Sequence, residues 1–176
     1  MAELSMGYIV GIMVGIVLVV LLLKLVNKNG RAKTEYDERQ QIERGKAYKW
    51  GFFAALLTCA VLLILETFDT IIPVLGMTAW FLPIVAGVIA QVSYSIFHDA
   101  YEGLNTNMHR FVIVMALIAV FNIGFAVVIF AREGFWDDGK LAPQFLNLLC
   151  GILCVVMAVE LLIKKCLDRR EEREDA

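Results

Sequence analysis

The sequence predicts an all-α, polytopic transmembrane bundle of five spans, with the N-terminus outside and the C-terminus cytoplasmic. Three observations carry that prediction. First, 60% of the 176 residues are hydrophobic and 19% are charged, against roughly 45–50% and 25% in soluble domains. Second, the apolar excess is gathered into charge-free runs at residues 6–23, 51–65, 71–97, 111–131 and 141–159. A helix needs about 20 mostly apolar residues to cross ~30 Å of hydrocarbon. Third, Lys and Arg are unequally shared among the connections. Residues 24–49 hold eight, the third connection holds Arg110 and the tail holds five, which puts 14 of the 16 on one side against Arg132 and Lys140 on the other. Basic residues in short loops stay on the cytoplasmic side, and this sets the orientation.

The expected spans are residues 6–26, 47–68, 77–97, 109–131 and 143–163, which leaves no room for a separate soluble domain. The leader "MAELS" has no Lys or Arg and its run closes on "LLLKLV", so it reads as a retained span rather than a secretory signal. Gly7, Gly11 and Gly15 form a small-xxx-small series in it, which suits close helix packing within the chain or between copies.

The second element begins in "TEYDERQQIERGKAYKWGFF", residues 34–53. Thr34 with Asp37 and Glu38 resembles a capping box with acids in the first turn. One helix over about 35–65 is expected, bent at Gly45 or Gly51. Glu35–Arg39 and Glu43–Lys46 stand at i,i+4 and i,i+3 spacing, so this cytoplasmic extension, residues 34–49, balances its own charge. The interleaved acids also argue against nucleic acid as a partner. Trp50, Trp80 and Trp136 all fall near predicted interfaces, where indole rings are favoured.

The third element follows a connection punctuated by Pro73 and Gly76. If its helix continues to Glu102, then Gly87, Gln91, Tyr94, His98 and Glu102 share one face. Polar groups in a span mark a bundle interior or a solute path, so Gln91, Tyr94, His98 and Glu102 form a candidate polar stripe. His98 and Glu102 at i,i+4, with His109 nearby, have ligand-like spacing. A catalytic zinc site takes three protein ligands and an open position. No HExxH or paired cysteines stand behind these residues, so no metal and no other cofactor is expected.

The fourth and fifth elements carry small and polar residues on one face each. They are Ala119, Asn122 and Ala126 on the fourth, and Asn147, Cys150, Gly151, Cys154 and Ala158 on the fifth. Each reads as a close-packed seam in which Asn122 and Asn147 hydrogen-bond across helices. Asp138–Gly139 supplies the turn between them, and Pro143 is suited to open the last helix. Glu160 is the one acid within the last span, with Lys164 one turn on as its expected partner and Arg110 as the alternative. The tail, residues 164–176, is mixed in charge. No cysteine lies in an outer loop, so no disulfide framework is expected. Phosphate-binding and nucleophile motifs are absent from the sequence.

Two segments, "EYDERQ…RGKAYKWGFF" and "HDAYEGLN", resemble those of a group of small multi-pass bacterial membrane proteins. That group carries a DERQ-type segment before one span and a DAY-x-x-LN-type segment after a later one. The resemblance covers these segments and the layout, and implies no particular activity or cofactor. Position by position it singles out Asp37, Glu38, Arg39, Gln40, Asp99, Tyr101, Leu104 and Asn105. All lie on the side predicted cytoplasmic, so the two motifs are expected to meet each other or a shared partner. An Arg39 or Arg44 contact with Asp99 or Glu102 is the specific expectation.

The functional expectation is a non-enzymatic protein of a bacterial plasma membrane, acting in assembly, interaction or regulation. Its expected partners are the lipid bilayer and a second copy or another membrane protein. A small transporter or channel subunit using the stripe is the alternative, and an enzyme at the cytoplasmic face around His98 the second.

Overall fold

The computed structural model describes residues 6–30, 33–68 and 72–174, with side-chain surroundings omitted for residues 6–12, 14–16, 72 and 77. It is mostly helical, at 79%. Helix α1 is Met6–Val26 and α2 is Glu38–Glu66, followed by a short α3, Ile72–Leu75, and a 3-10 segment, Gly76–Phe81. Then come α4, Leu82–Phe97, α5, Met108–Glu133, the two-residue strands β1, Trp136–Asp137, and β2, Lys140–Leu141, and finally α6, Phe145–Glu174.

Four of these stretches are long and apolar enough to cross a membrane: Glu38–Glu66, Thr78–Phe97, Met108–Glu133 and Phe145–Glu174. The remaining predicted span falls on α1, which packs mainly on α5. The packing of Gly7, Gly11 and Gly15 lies outside the described side chains.

Burial is arranged the opposite way from a soluble protein. On α5 the small Ala126 is wholly enclosed, while Val120 and Phe121 are 71% and 73% exposed. Without a hydrophobic drive between helices in lipid, close packing through small residues has to hold them together. The α2–α4 crossing illustrates this. A Cβ on Gly51 would stand 2.8 Å from the Gly87 carbonyl oxygen, and one on Gly87 would stand 3.0 Å from the Gly51 carbonyl oxygen. Gly51 is therefore a contact point inside one unbroken helix, where the sequence suggested a bend. On the α5–α6 seam, a Cβ on Gly151 would lie 2.5 Å from Ile123 Cγ1.

The seam prediction is corrected in one respect. The Asn122 amide donates to the Ile118 carbonyl of its own helix at 2.9 Å, so it closes on its own backbone. Asn147 is half-buried on α6 and makes no side-chain bond across to α5 among the described residues. The helix openings also shift. α2 starts at Glu38 rather than near residue 35, and α6 starts at Phe145, two residues after Pro143.

At one end of the bundle, Trp136 pairs with Leu141 and Asp137 with Lys140 in an antiparallel hairpin, a small addition to the all-α expectation. Its turn residues Asp138 and Gly139 both have positive φ, 48° and 77°, as a type I′ turn requires. The opposite end, where both sequence motifs lie, is termed the motif end below.

Candidate functional site

The site is built from two helix ends and one connecting segment, all of which need partners. The first is the N-terminus of α2. Asp37 is extended, with φ −73° and ψ 172°, and caps the helix. Its carboxylate accepts from the Gln40 N–H at 2.7 Å, and the Gln40 side-chain oxygen accepts from the Asp37 N–H at 3.3 Å. This capping box is centred three residues later than the Thr34 box expected from sequence. The reciprocal bond leaves the two amide hydrogens of Gln40 free. They reach across to the carbonyls of Asp99, at 3.0 Å, and Glu102, at 2.9 Å.

The second terminus is the end of α4. His98 is the C-cap and Asp99 has φ 57°. Ala100 N–H bonds the Ser95 carbonyl at 2.9 Å and Asp99 N–H bonds the Ile96 carbonyl at 3.3 Å. This is a Schellman motif with an aspartate in the left-handed position usually given to glycine. The Asp99 carboxylate then meets Lys164 at 2.9 Å and Arg39 at 3.7 Å. The Arg39 pairing is one of the contacts the sequence led us to expect. Lys164 also holds Asp168 at 2.7 Å.

Two expectations fail here. The helix stops at Phe97, so Glu102 lies in the loop and leaves the stripe. Lys164 is directed to Asp99 and Asp168, while Glu160 accepts from the Ser93 hydroxyl at 2.6 Å. Arg110, the other proposed partner, donates to the Leu25 carbonyl at 3.3 Å.

The third is the chain between α1 and α2, which lies along residues 103–107. Asn105 is 7% exposed and joins them. Its backbone carbonyl accepts from Lys28 N–H at 2.6 Å and its side-chain oxygen from Glu35 N–H at 2.9 Å. Its amide donates to the Lys33 carbonyl at 2.9 Å and to Asn29 Oδ1 at 3.2 Å. Leu104 N–H bonds the Glu35 carbonyl at 2.9 Å and Asn107 N–H the Val26 carbonyl at 3.0 Å. Gly103 makes the approach close enough, since a Cβ there would collide with the Thr34 methyl and stand 2.8 Å from the Glu35 oxygen.

The remaining stripe residues face α2. Gln91 Cβ would be 3.0 Å from a Cβ on Gly51. Tyr94 donates its hydroxyl to Glu43 at 3.0 Å, and Glu43 in turn holds Lys46 at 2.7 Å. His98 is exposed; its ring stacks on Tyr94 at 3.8 Å and 5°, with Nδ1 2.8 Å from the Tyr94 carbonyl oxygen. Tyr101 packs edge-on to Phe111 at 5.5 Å beside Val92, Ile96 and Met157. Burial pushes its phenol far above the ordinary tyrosine range. Among the described residues no group of three His, Cys, Asp or Glu is placed to hold a metal, and His98, Glu102 and His109 do not converge.

The motif residues thus come together through Asp37, Arg39, Gln40, Asp99 and Asn105, while Glu38 and Leu104 have exposed side chains. Sequence reasoning missed Gly103, Asn29 and Lys28, and gave Lys164 a different partner. A glycine directly after the polar run that ends in Glu102, in "YEGLN", was the one local signal available for Gly103. Compared with protein-family models, curated proteins and solved structures, the chain matches none.

Proposed function

We propose that the chain is a five-span protein of a bacterial plasma membrane, N-terminus outside, whose cytoplasmic face is a fixed polar platform for assembly or interaction. On this reading it performs no chemistry of its own. The observation that carries it is the closure of both motifs on each other through Gln40, Asp99 and Asn105. Catalytic side chains need free functional atoms aimed at a substrate, whereas these are spent on holding three chain segments in register. The resemblance of the two segments and the distribution of Lys and Arg support the bacterial membrane and the orientation. Tyr94 and His98, bonded to Glu43 and to the helix backbone, support packing over solute passage.

Two measurements test the reading. A cysteine at Gly30 should resist a membrane-impermeant thiol reagent added to intact cells, while one at Gly139 should react; the inverse pattern refutes the orientation. The full chain reconstituted in vesicles should leave ion and small-solute leakage unchanged. A leak abolished by His98→Ala would transfer the assignment to transport.

A further inference from the structure

Arg44 occupies an unusual position on α2. Its guanidinium lies 3.9 Å from the centroid of the Tyr36 ring and donates to the Tyr48 hydroxyl at 3.1 Å. Among the described residues no carboxylate pairs with it, because the neighbouring Glu43 is engaged by Lys46 and Tyr94. A guanidinium cannot shed its charge, and most of its five donors remain to be used.

This half-buried cation lines a cavity of about 250 Å³ at the motif end, between the chain preceding α2 and helices α1, α2, α4 and α5. Thr34, Tyr36, Gln91, Tyr101 and Thr106 also line it, and among the described residues no acidic one does. The Gln91 amide and the Tyr101 phenol have no hydrogen-bond partner among the described residues. Burial keeps the phenol protonated and hence a donor. The two larger clefts nearby, of about 390 and 420 Å³, differ in kind: Glu102 and Asp168 line both and offset Lys164.

We infer that this cavity is a binding site for a phosphate oxyanion, held by Arg44 with Gln91, Tyr101 and the two threonine hydroxyls as neutral donors. An unpaired guanidinium among donors, without a competing carboxylate, is complementary to an oxyanion, and its planar fork fits two phosphate oxygens at once. The cavity adjoins Leu23 and Val26 at the end of α1 and Phe111 at the start of α5. On the membrane reading above, on which this point rests, that is headgroup depth, where basic pockets between helices take lipid phosphates. The phosphate belongs either to a phospholipid headgroup or to a soluble ion.

Native mass spectrometry and thermal unfolding of the full chain in detergent micelles separate these sources. Phosphatidylglycerol, diacylglycerol and inorganic phosphate are the three probes. Phosphatidylglycerol should be retained and raise the unfolding temperature while diacylglycerol does neither, and Arg44→Gln should weaken retention about tenfold. Arg44→Lys should keep part of it, and Arg39→Gln, which removes a cation already paired with Asp99, should keep all of it. Stabilisation by inorganic phosphate alone, lost in Arg44→Gln, assigns the site to a soluble anion. Where Arg44→Gln does not fold, Gln91→Leu and Arg44→Lys provide the comparison. Equal retention of diacylglycerol, or phosphatidylglycerol retention unchanged in every Arg44 and Gln91 variant, overturns the site. The thiol-labelling pattern is independent of this result, so failure here leaves the topology standing.

Discussion

The side-chain amide of Gln40 donates to the backbone carbonyl of Glu102 at 2.9 Å, across 62 positions of sequence. Its second hydrogen goes to the Asp99 carbonyl at 3.0 Å. One side chain therefore completes the cap of α2 and fastens α2 to the foot of α4.

Substitution at Gln40 should separate these two tasks. Glutamate is a favoured third residue in a capping box, yet here its carboxylate would face two carbonyl oxygens with no hydrogen to give. Gln40→Glu is expected to destabilise by about 1–3 kcal/mol, and more than Gln40→Ala. Unfolding of both variants in the same detergent gives the order, and an equally stable Gln40→Glu protein would contradict the cross-helix role.

Asp99 combines a left-handed backbone with a paired carboxylate. Asp99→Gly keeps the backbone and loses the charge, Asp99→Asn does nearly the same, and Asp99→Ala loses both. Alanine should cost the most, with about 1–2 kcal/mol from the backbone alone. A double-mutant cycle between Asp99→Asn and Lys164→Met should give a coupling of only about 0.2–1 kcal/mol, shrinking in high salt. A coupling well above that range would mean the pair is more enclosed than its geometry indicates.

The Gly51–Gly87 crossing should tolerate no added carbon. Gly87→Ala is expected to cost about 1–3 kcal/mol because backbone rather than a flexible side chain blocks the new methyl. Gly45→Ala makes the matched control, since a Cβ there meets nothing within 4 Å and helix propensity favours alanine. Equal stability of the two variants would argue against tight α2–α4 contact.

Tyr101 predicts an alkaline limit. Its folded-state pKa is raised by burial, so the unfolded chain releases this proton first as pH rises. The stabilisation is complete below the ordinary tyrosine value of 10.0 and is lost above it. Between neutral pH and about 11, wild type should therefore lose more thermal stability than Tyr101→Phe. Parallel losses in the two proteins would exclude a buried phenol.

The apolar helices were legible because each is encoded locally, by some twenty consecutive residues. The Asp138–Gly139 turn was legible for the same reason. The stop of α4 at Phe97 was not. "FHDAY" contains neither glycine nor proline, and the left-handed turn falls on Asp99, held there by Gln40 and Lys164 from distant segments. The start of α2 was read from a Thr34 capping box, three residues before the Asp37 that caps the helix. Pairing with Leu104 and Asn105 holds residues 33–35 outside the helix and decides the cap for Asp37. The Lys164 pairing was misassigned because Glu160 is its neighbour in sequence, whereas Asp99 is its neighbour in space.

The joining of Glu35 to Asn105 across 70 positions also dictates an order of assembly. Chains emerge from the ribosome N-terminus first. The connection between α1 and α2 is thus made well before the loop that fastens it exists. Until residues 99–107 follow, the backbone groups of Lys28 and Glu35 lack the partners that Leu104 and Asn105 provide. The connection made early in synthesis is consequently fixed only after residues 99–107 have followed. A pause or truncation before Asn105 would leave the connection between α1 and α2 unfastened and open to quality-control proteolysis.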